Sequence, residues 1–227
     1  MNIYGVITAD VISSKKTQQY SNIETLNSKA NSVTKKLKEL GVDLFTEVSI
    51  SRGDEIQVVC ENIEDIPRVL RIIRGEFYPC KLRIGVGIGT IDNIEFSQRD
   101  TDKNSWDYNG EAFFAARKAV DKIKNNKEIA TVFHIYETDQ QDILDILDDI
   151  NVIYELINVI ISKWRDTQWR YTESYEIFGK MELASKNCNI KVQTMSRSVN
   201  TAKWRQIESS ENYVKTRLRK IKSIFRY

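Results

Sequence analysis

The segment KLRIGVGIGT, residues 81–90, has glycine at every second position of a strand-like pattern. Side chains of a β-strand alternate between the two faces of a sheet, so Gly85, Gly87 and Gly89 leave one face of this strand bare. A bare face allows a backbone or a ligand to approach closely. The spacing differs from that of a dinucleotide-binding loop, which lies between a strand and a helix. The sequence leaves open which of these two partners approaches the glycines.

Strand and helix patterns alternate on both sides of this segment. Runs that are apolar or that alternate predict strands, and apolar residues spaced three to four apart predict helices. The order β-α-β-β-α-β-α-β predicts an α+β fold, with one sheet backed by helices. The predicted strands are 3–12, 43–50, 54–61, 81–90 and 128–136, and the predicted helices among them are 21–40, 62–77 and 110–126.

Charge divides the chain into two parts. Residues 1–150 carry a net charge of −6 and residues 151–227 carry +8, which suggests two units with different partners. Any binding of a polyanion is expected in the C-terminal part. The predicted organisation is an α+β domain at 1–137, a connecting helix at 138–163 and a helical domain at 164–227.

Several classes of protein are not expected. The most apolar stretch carries aspartates at helical intervals, so we expect an amphipathic helix and no membrane partner. The N-terminus lacks a basic region ahead of an apolar core, and Cys60, Cys80 and Cys188 form neither a disulfide framework nor a zinc site. These features predict a cytoplasmic protein. His134 is the only histidine and lies within an apolar run, so we expect it to be structural.

Four motifs occur in a fixed order along the chain. They are ADVISS at 9–14, RGDE at 52–55, LRIGVGIG at 82–89 and YNGEAFFAAR at 108–117. Together they resemble the catalytic domain of class III nucleotide cyclases. They are more similar still to the bacterial SatD family, whose members look like a cyclase-type domain followed by a helix-turn-helix. The resemblance implies a ferredoxin-like or palm sheet of the nucleotide-cyclase type and an all-helical C-terminal helix-turn-helix unit.

The resemblance also implies a metal site. Asp10 ends the first strand and Asp54 follows the hairpin glycine, as do the two metal-binding aspartates of cyclases, and the carbonyl of Val11 would be a third ligand. Carboxylate oxygens suit Mg²⁺ or Mn²⁺, and such ions bind a nucleoside triphosphate and assist phosphoryl transfer. No other cofactor is expected.

A structural role for the same carboxylates is an alternative interpretation. Asp10 can cap a turn through Ser13 or Ser14, and Asp54 can complete the hairpin. In a regular strand Glu55 points to the face opposite Asp54, which makes it the weaker candidate for a metal ligand.

The residues expected to contact a nucleotide depart from the cyclase pattern. Phe114 and Lys118 stand where cyclases have an asparagine for the ribose and an arginine for the phosphates. Arg117 is one residue out of step, and Ile50 replaces the lysine that reads the purine. The resemblance therefore implies a degenerate nucleotide site. Its candidate residues are Gly53, Arg52, Lys118 and Arg117.

The basic C-terminal part predicts two short helices joined by a polar turn. A small residue, Ala184, precedes the turn Asn187–Asn189, and a polar helix begins near Lys191, a pattern that fits a helix-turn-helix. Glutamine and arginine can read base edges, and Lys203 and Arg205 would add charge toward the DNA backbone. The alternative is a helical bundle with a solvated basic face for dimerisation or protein docking. The predicted DNA-binding residues are Gln193, Thr194, Ser196, Arg197 and Lys191.

Two functions follow from these patterns. The first is a DNA-binding, regulator-like protein with a degenerate cyclase-like domain that binds metal and nucleotide. The second is a metal-dependent nucleotidyl cyclase or nucleotidyltransferase that uses a nucleoside triphosphate. A nucleotide-responsive homodimer would combine the two, because paired helix-turn-helix units favour twofold symmetry.

Overall fold

A computed structural model describes residues 2–12, 22–51, 54–92, 104–124 and 130–225. Within these residues the chain forms one sheet of five strands and eight α-helices, which confirms the predicted mixed α+β class. The strands are β1 Tyr4–Ile12, β2 Ser49–Ile50, β3 Glu55–Cys60, β4 Lys81–Gly89 and β5 Thr131–Ile135. The helices are α1 Ile23–Glu39, α2 Ile66–Phe77, α3 Glu111–Lys124, α4 Gln141–Ile161, α5 Asp166–Phe178, α6 Met181–Asn187, α7 Val192–Thr201 and α8 Trp204–Ile224.

The sheet has the strand order β2-β3-β1-β4-β5. Its first four strands are antiparallel neighbours, and β5 pairs with β4 in parallel. The central strand β1 is buried on both faces, as its continuous apolar sequence predicts. Ile7 and its same-face neighbours pack toward α1 and α2, whereas Val6 and Val59 pack against α3.

The glycines of β4 lie under α3. A Cβ atom at Gly87 would overlap the carbonyl oxygen of Ala112 and the backbone of Ala116, and one at Gly85 would overlap the carbonyl oxygen of Ala116. Ala112 and Ala116 are fully buried. The bare face of the strand therefore receives a helix backbone, one of the two partners that the sequence left open.

The strand predicted at 43–50 is shorter than expected. Only Ser49 and Ile50 form β2, and Leu44 makes an isolated bridge to Cys60. Between them the hydroxyl of Thr46 accepts a hydrogen bond from the Val59 amide at 3.1 Å. A side chain thus replaces part of the backbone ladder, which interrupts the strand.

The C-terminal helices continue the core of the sheet. Buried residues of α4, α7 and α8 belong to the same apolar cluster as those of β1, α1 and α2. Asn151 of α4 donates to and accepts from the backbone of Phe133, which satisfies part of the exposed edge of β5. No helix within the described residues combines the length and the apolar character needed to cross a bilayer.

A buried arginine of α2 joins the sheet to these helices. The guanidinium of Arg71 donates to Glu176 of α5 at 2.8 Å and to both carboxylate oxygens of Glu211 of α8 at 3.0 Å. It also lies 4.7 Å from the ring centroid of Trp204. Burial raises the pKa of Glu211 to about 7, despite the opposing field of Arg71, and the nearby Glu176 raises it further.

This raised pKa predicts a pH-dependent stability. Between pH 4.5 and 7 the native Glu211 binds a proton that the unfolded chain has lost, so the free energy of unfolding falls as the pH rises. We expect the free energy of unfolding, measured by urea titration, to decrease by up to about 3 kcal/mol over this pH range. The variant Glu211→Gln should flatten the profile, whereas Glu208→Gln, an exposed neighbour on α8, should leave it unchanged. An unaltered slope in Glu211→Gln would contradict the assignment.

Candidate functional site

Two carboxylates stand side by side at one end of the sheet. In the antiparallel pairing of β1 and β3, Asp10 is directly opposite Glu55. Residues that are directly opposite project their side chains from the same face. Burial raises the pKa of Glu55, and the negative charge of Asp10 raises it further. We refer to Asp10 and Glu55 as the carboxylate pair.

The other predicted metal residues border this pair. Asp54 is half-buried in a bend immediately before β3, and its charge makes a smaller contribution to the raised pKa of Glu55. Val11 is half-buried and packs against the core. Arg52 and Gly53 of the predicted nucleotide site lie outside the described residues.

Helix α3 places cations beside the carboxylate pair. The ammonium of Lys124 lies 3.5 Å from Oδ2 of Asp10. The positive charge of Arg117 opposes the raised pKa of Glu55. Lys118, one residue further along α3, instead acts on His134 of β5. Among the described cations of the predicted nucleotide set, Arg117, which the sequence pattern placed out of step, is therefore the one whose charge acts on the carboxylate pair.

The single histidine lies apart from the carboxylate pair. His134 is paired with Gly87 on β4, and its Nδ1 is 3.5 Å from the ammonium of Lys122. Partial burial and the charges of Lys122 and Lys118 lower the pKa of His134 to about 4. The imidazole is thus neutral near pH 7.

Uncharged polar groups form the next row of the same sheet face. Gln57 donates from Nε2 to the hydroxyl of Thr8 at 3.2 Å, and Ser49 and Ser105 share a hydrogen bond of 2.6 Å between their hydroxyls. The Oε1 atom of Gln57 is buried and makes no hydrogen bond among the described residues. No local sequence pattern indicates these residues, because they are far apart along the chain.

Carboxylate oxygens are the ligands that Mg²⁺ and Mn²⁺ prefer, and the carboxylate pair and Asp54 carry them. Within the described part of the chain, no three acidic, histidine or cysteine residues already form a metal-binding cluster. The ammonium of Lys124 neutralises part of the charge on Asp10, so a metal ion would compete with it.

The predicted DNA-binding residues lie on α7 and at the residue that precedes it. Met195 and Val199 are buried and anchor α7, while Gln193, Thr194 and Arg197 are exposed on its outer face. Lys191, which precedes the helix, is also exposed, whereas Ser196 is half-buried.

The turn between α6 and α7 comprises Cys188 to Lys191. Within it Asn189 has φ of 53°, a left-handed conformation that asparagine tolerates better than most residues. The left-handed position of this turn is therefore filled without a glycine.

Comparisons with known proteins identify one family and two distant structures. The model of the SatD family matches residues 4–221, nearly the whole chain. A search of curated proteins found no match. A bacterial light-regulated adenylyl cyclase is similar over 58% of this chain and 75% of its own, with 13% identity and a TM-score of 0.37. The regulator of polyketide synthase expression from Bifidobacterium adolescentis is similar over 99% of this chain and 86% of its own, with 14% identity and a TM-score of 0.30.

NMR titration of Glu55 and His134 can distinguish the effects of Arg117 and Lys118 on these two groups. We expect Arg117→Ala to raise the pKa of Glu55, because it removes a cation that favours the ionised carboxylate. Lys118→Ala should leave Glu55 unchanged and raise the pKa of His134, because it removes a cation that disfavours the imidazolium. The reverse pattern would show that α3 is rotated relative to the sheet.

Proposed function

The chain belongs to the SatD family, and we propose that it is a DNA-binding, regulator-like protein with a degenerate cyclase-like domain. The observation that carries this proposal is the outer face of α7. That face presents Gln193, Thr194 and Arg197 to solvent, about one helical turn apart or closer. Side chains of these types can contact base edges and phosphates in a major groove.

The geometry around α7 supports a helix-turn-helix. Helix α6 has seven residues and α7 has ten, and four residues separate them. Ala184 is fully buried, so α6 can approach its neighbours closely, while Met195 and Val199 hold α7 by its inner face. Such an arrangement leaves the outer face of the second helix free for DNA.

The surrounding charge agrees with a polyanionic partner. Lys191, Arg197, Lys203 and Arg205 are all exposed on or beside α7. Cations of this kind release counterions when they neutralise phosphates, so binding would weaken steeply with salt.

The sheet supports a sensing or scaffolding role better than cyclisation. Phe114 is 46% exposed where cyclases would offer an amide to the ribose, and phenylalanine cannot donate a hydrogen bond. Ile50 likewise offers no polar group to a purine.

A second candidate function is metal-dependent chemistry on a nucleoside triphosphate. The carboxylate pair, with Arg117 on the same side, favours it. Asp10, Glu55 and Asp54 would hold Mg²⁺ or Mn²⁺, which when bound supplies charge stabilisation for phosphoryl transfer. Arg117 would orient the phosphates as a planar donor.

Fluorescence anisotropy with labelled duplex DNA tests the first function. We expect the full chain to bind at low salt, and Gln193→Ala/Arg197→Ala to weaken binding by about 10- to 100-fold because base and phosphate contacts are lost. Lys35→Ala removes one exposed cation of α1, as the test variant removes one cation of α7, and serves as the charge-matched control. Absence of binding at low salt would refute the proposed function.

Titration with Mn²⁺ followed by electron paramagnetic resonance tests the metal site. We expect Asp10→Asn and Glu55→Gln each to weaken binding by about tenfold or more. Lys124→Ala should strengthen it, because the competing ammonium is removed. Asp142→Asn, an exposed aspartate of α4, is the control. Equal affinity in all four variants would exclude the carboxylate pair as the site.

A further inference from the structure

An open groove lies between the end of α4, the start of α5 and α7. Its volume is about 800 Å³, which is within the range of sites that bind small organic molecules. None of the residues of the sheet lines it. It is therefore separate from the carboxylate pair, and we call it the basic groove.

The walls of the basic groove are cationic. Lys163, Arg165, Arg197 and Lys203 line it, and no Asp or Glu is among the described residues that do so. Within the described part of the chain none of these four side chains is in an ion pair within 4.0 Å. Four unneutralised cations around one concave surface favour an anionic occupant.

The floor of the basic groove is apolar. Val159, Ile160, Trp164 and Tyr171 contribute to it, and the side chain of Val159 is 58% exposed. The indole nitrogen of Trp164 donates to the carbonyl of Ala202 at 2.9 Å. This hydrogen bond satisfies the polar atom of Trp164 within the protein, and the ring is buried beneath the groove, so the accessible apolar surface comes mainly from Val159, Ile160 and Tyr171.

We propose that the basic groove binds a small organic anion with an apolar body, and that this ligand excludes DNA. The apolar floor would cover the body of the ligand and the cations would bind its carboxylate, sulfonate or phosphate. A DNA backbone would use the cations but leave the exposed apolar floor uncovered. The combination therefore fits an amphipathic anion better than a nucleic acid strand.

The exclusion of DNA follows from shared residues and rests on the proposed function. Thr194 and Arg197 line the basic groove and also belong to the predicted DNA-binding face of α7. A ligand that binds Arg197 withdraws this side chain from DNA, so the two partners compete. The groove would thereby make the DNA affinity responsive to a metabolite-sized anion.

The first arm of the test uses 1-anilinonaphthalene-8-sulfonate, an aromatic anion whose fluorescence rises on binding. We expect Lys163→Gln/Lys203→Asn to raise its Kd by about fivefold. Asparagine is chosen at position 203 because the backbone there has φ of 57°. Lys186→Gln/Lys220→Gln, which removes two exposed lysines elsewhere, should leave the Kd unchanged. The uncharged analogue N-phenyl-1-naphthylamine should bind all three proteins alike, and matching thermal unfolding would show that each is folded.

Equal Kd values for the anion in the two double variants, or no binding by the native chain, would overturn the groove assignment. The second arm adds the anion to the complex of the full chain with labelled duplex DNA, and release of the DNA is the expected result. Anion binding without release would overturn the exclusion of DNA. A chain that binds the anion but no DNA at low salt would refute the proposed function and leave the groove assignment supported.

Discussion

The contact between the backbone of α3 and the glycine face of β4 determines the position of the cations that α3 brings to the candidate site. Because Gly85 and Gly87 carry no side chain, α3 lies directly on the sheet instead of on a layer of apolar side chains. This close approach brings Arg117 and Lys124 of α3 beside Asp10 and Glu55. A larger residue in the strand would lift the helix and move its cations away from the carboxylates.

On the opposite side of the sheet, a buried charge connects helices to one another. Arg71 joins α2 to α5 and α8 through two carboxylates, and these two helices contact α7, which carries the predicted DNA-binding face. Breaking a buried pair by removing one partner is strongly destabilising, so this junction is sensitive to single substitutions. The core is also continuous across it. The difference in net charge between the two parts of the chain therefore does not coincide with a break in packing.

The sequence predicted the order of the elements and the bare face of β4, because both depend on local periodicity. It ranked Glu55 below Asp54, because the neighbour of Glu55 is determined by the register between β1 and β3, which are distant in sequence. The rotation of α3 about its own axis brings Arg117 toward the carboxylates, and this rotation also depends on tertiary packing. The partners of Arg71 lie 105 and 140 residues away, beyond the reach of any local pattern.

The buried Glu211 makes the folding of this protein a reaction that exchanges protons with solvent. Between pH 4.5 and 7 unfolding releases up to one proton per molecule from this side chain, and the buffer takes it up. The heat of that ionisation is included in any calorimetric enthalpy of unfolding. Enthalpies measured in phosphate and in a buffer with a large ionisation enthalpy will therefore differ, although the protein and the pH are the same.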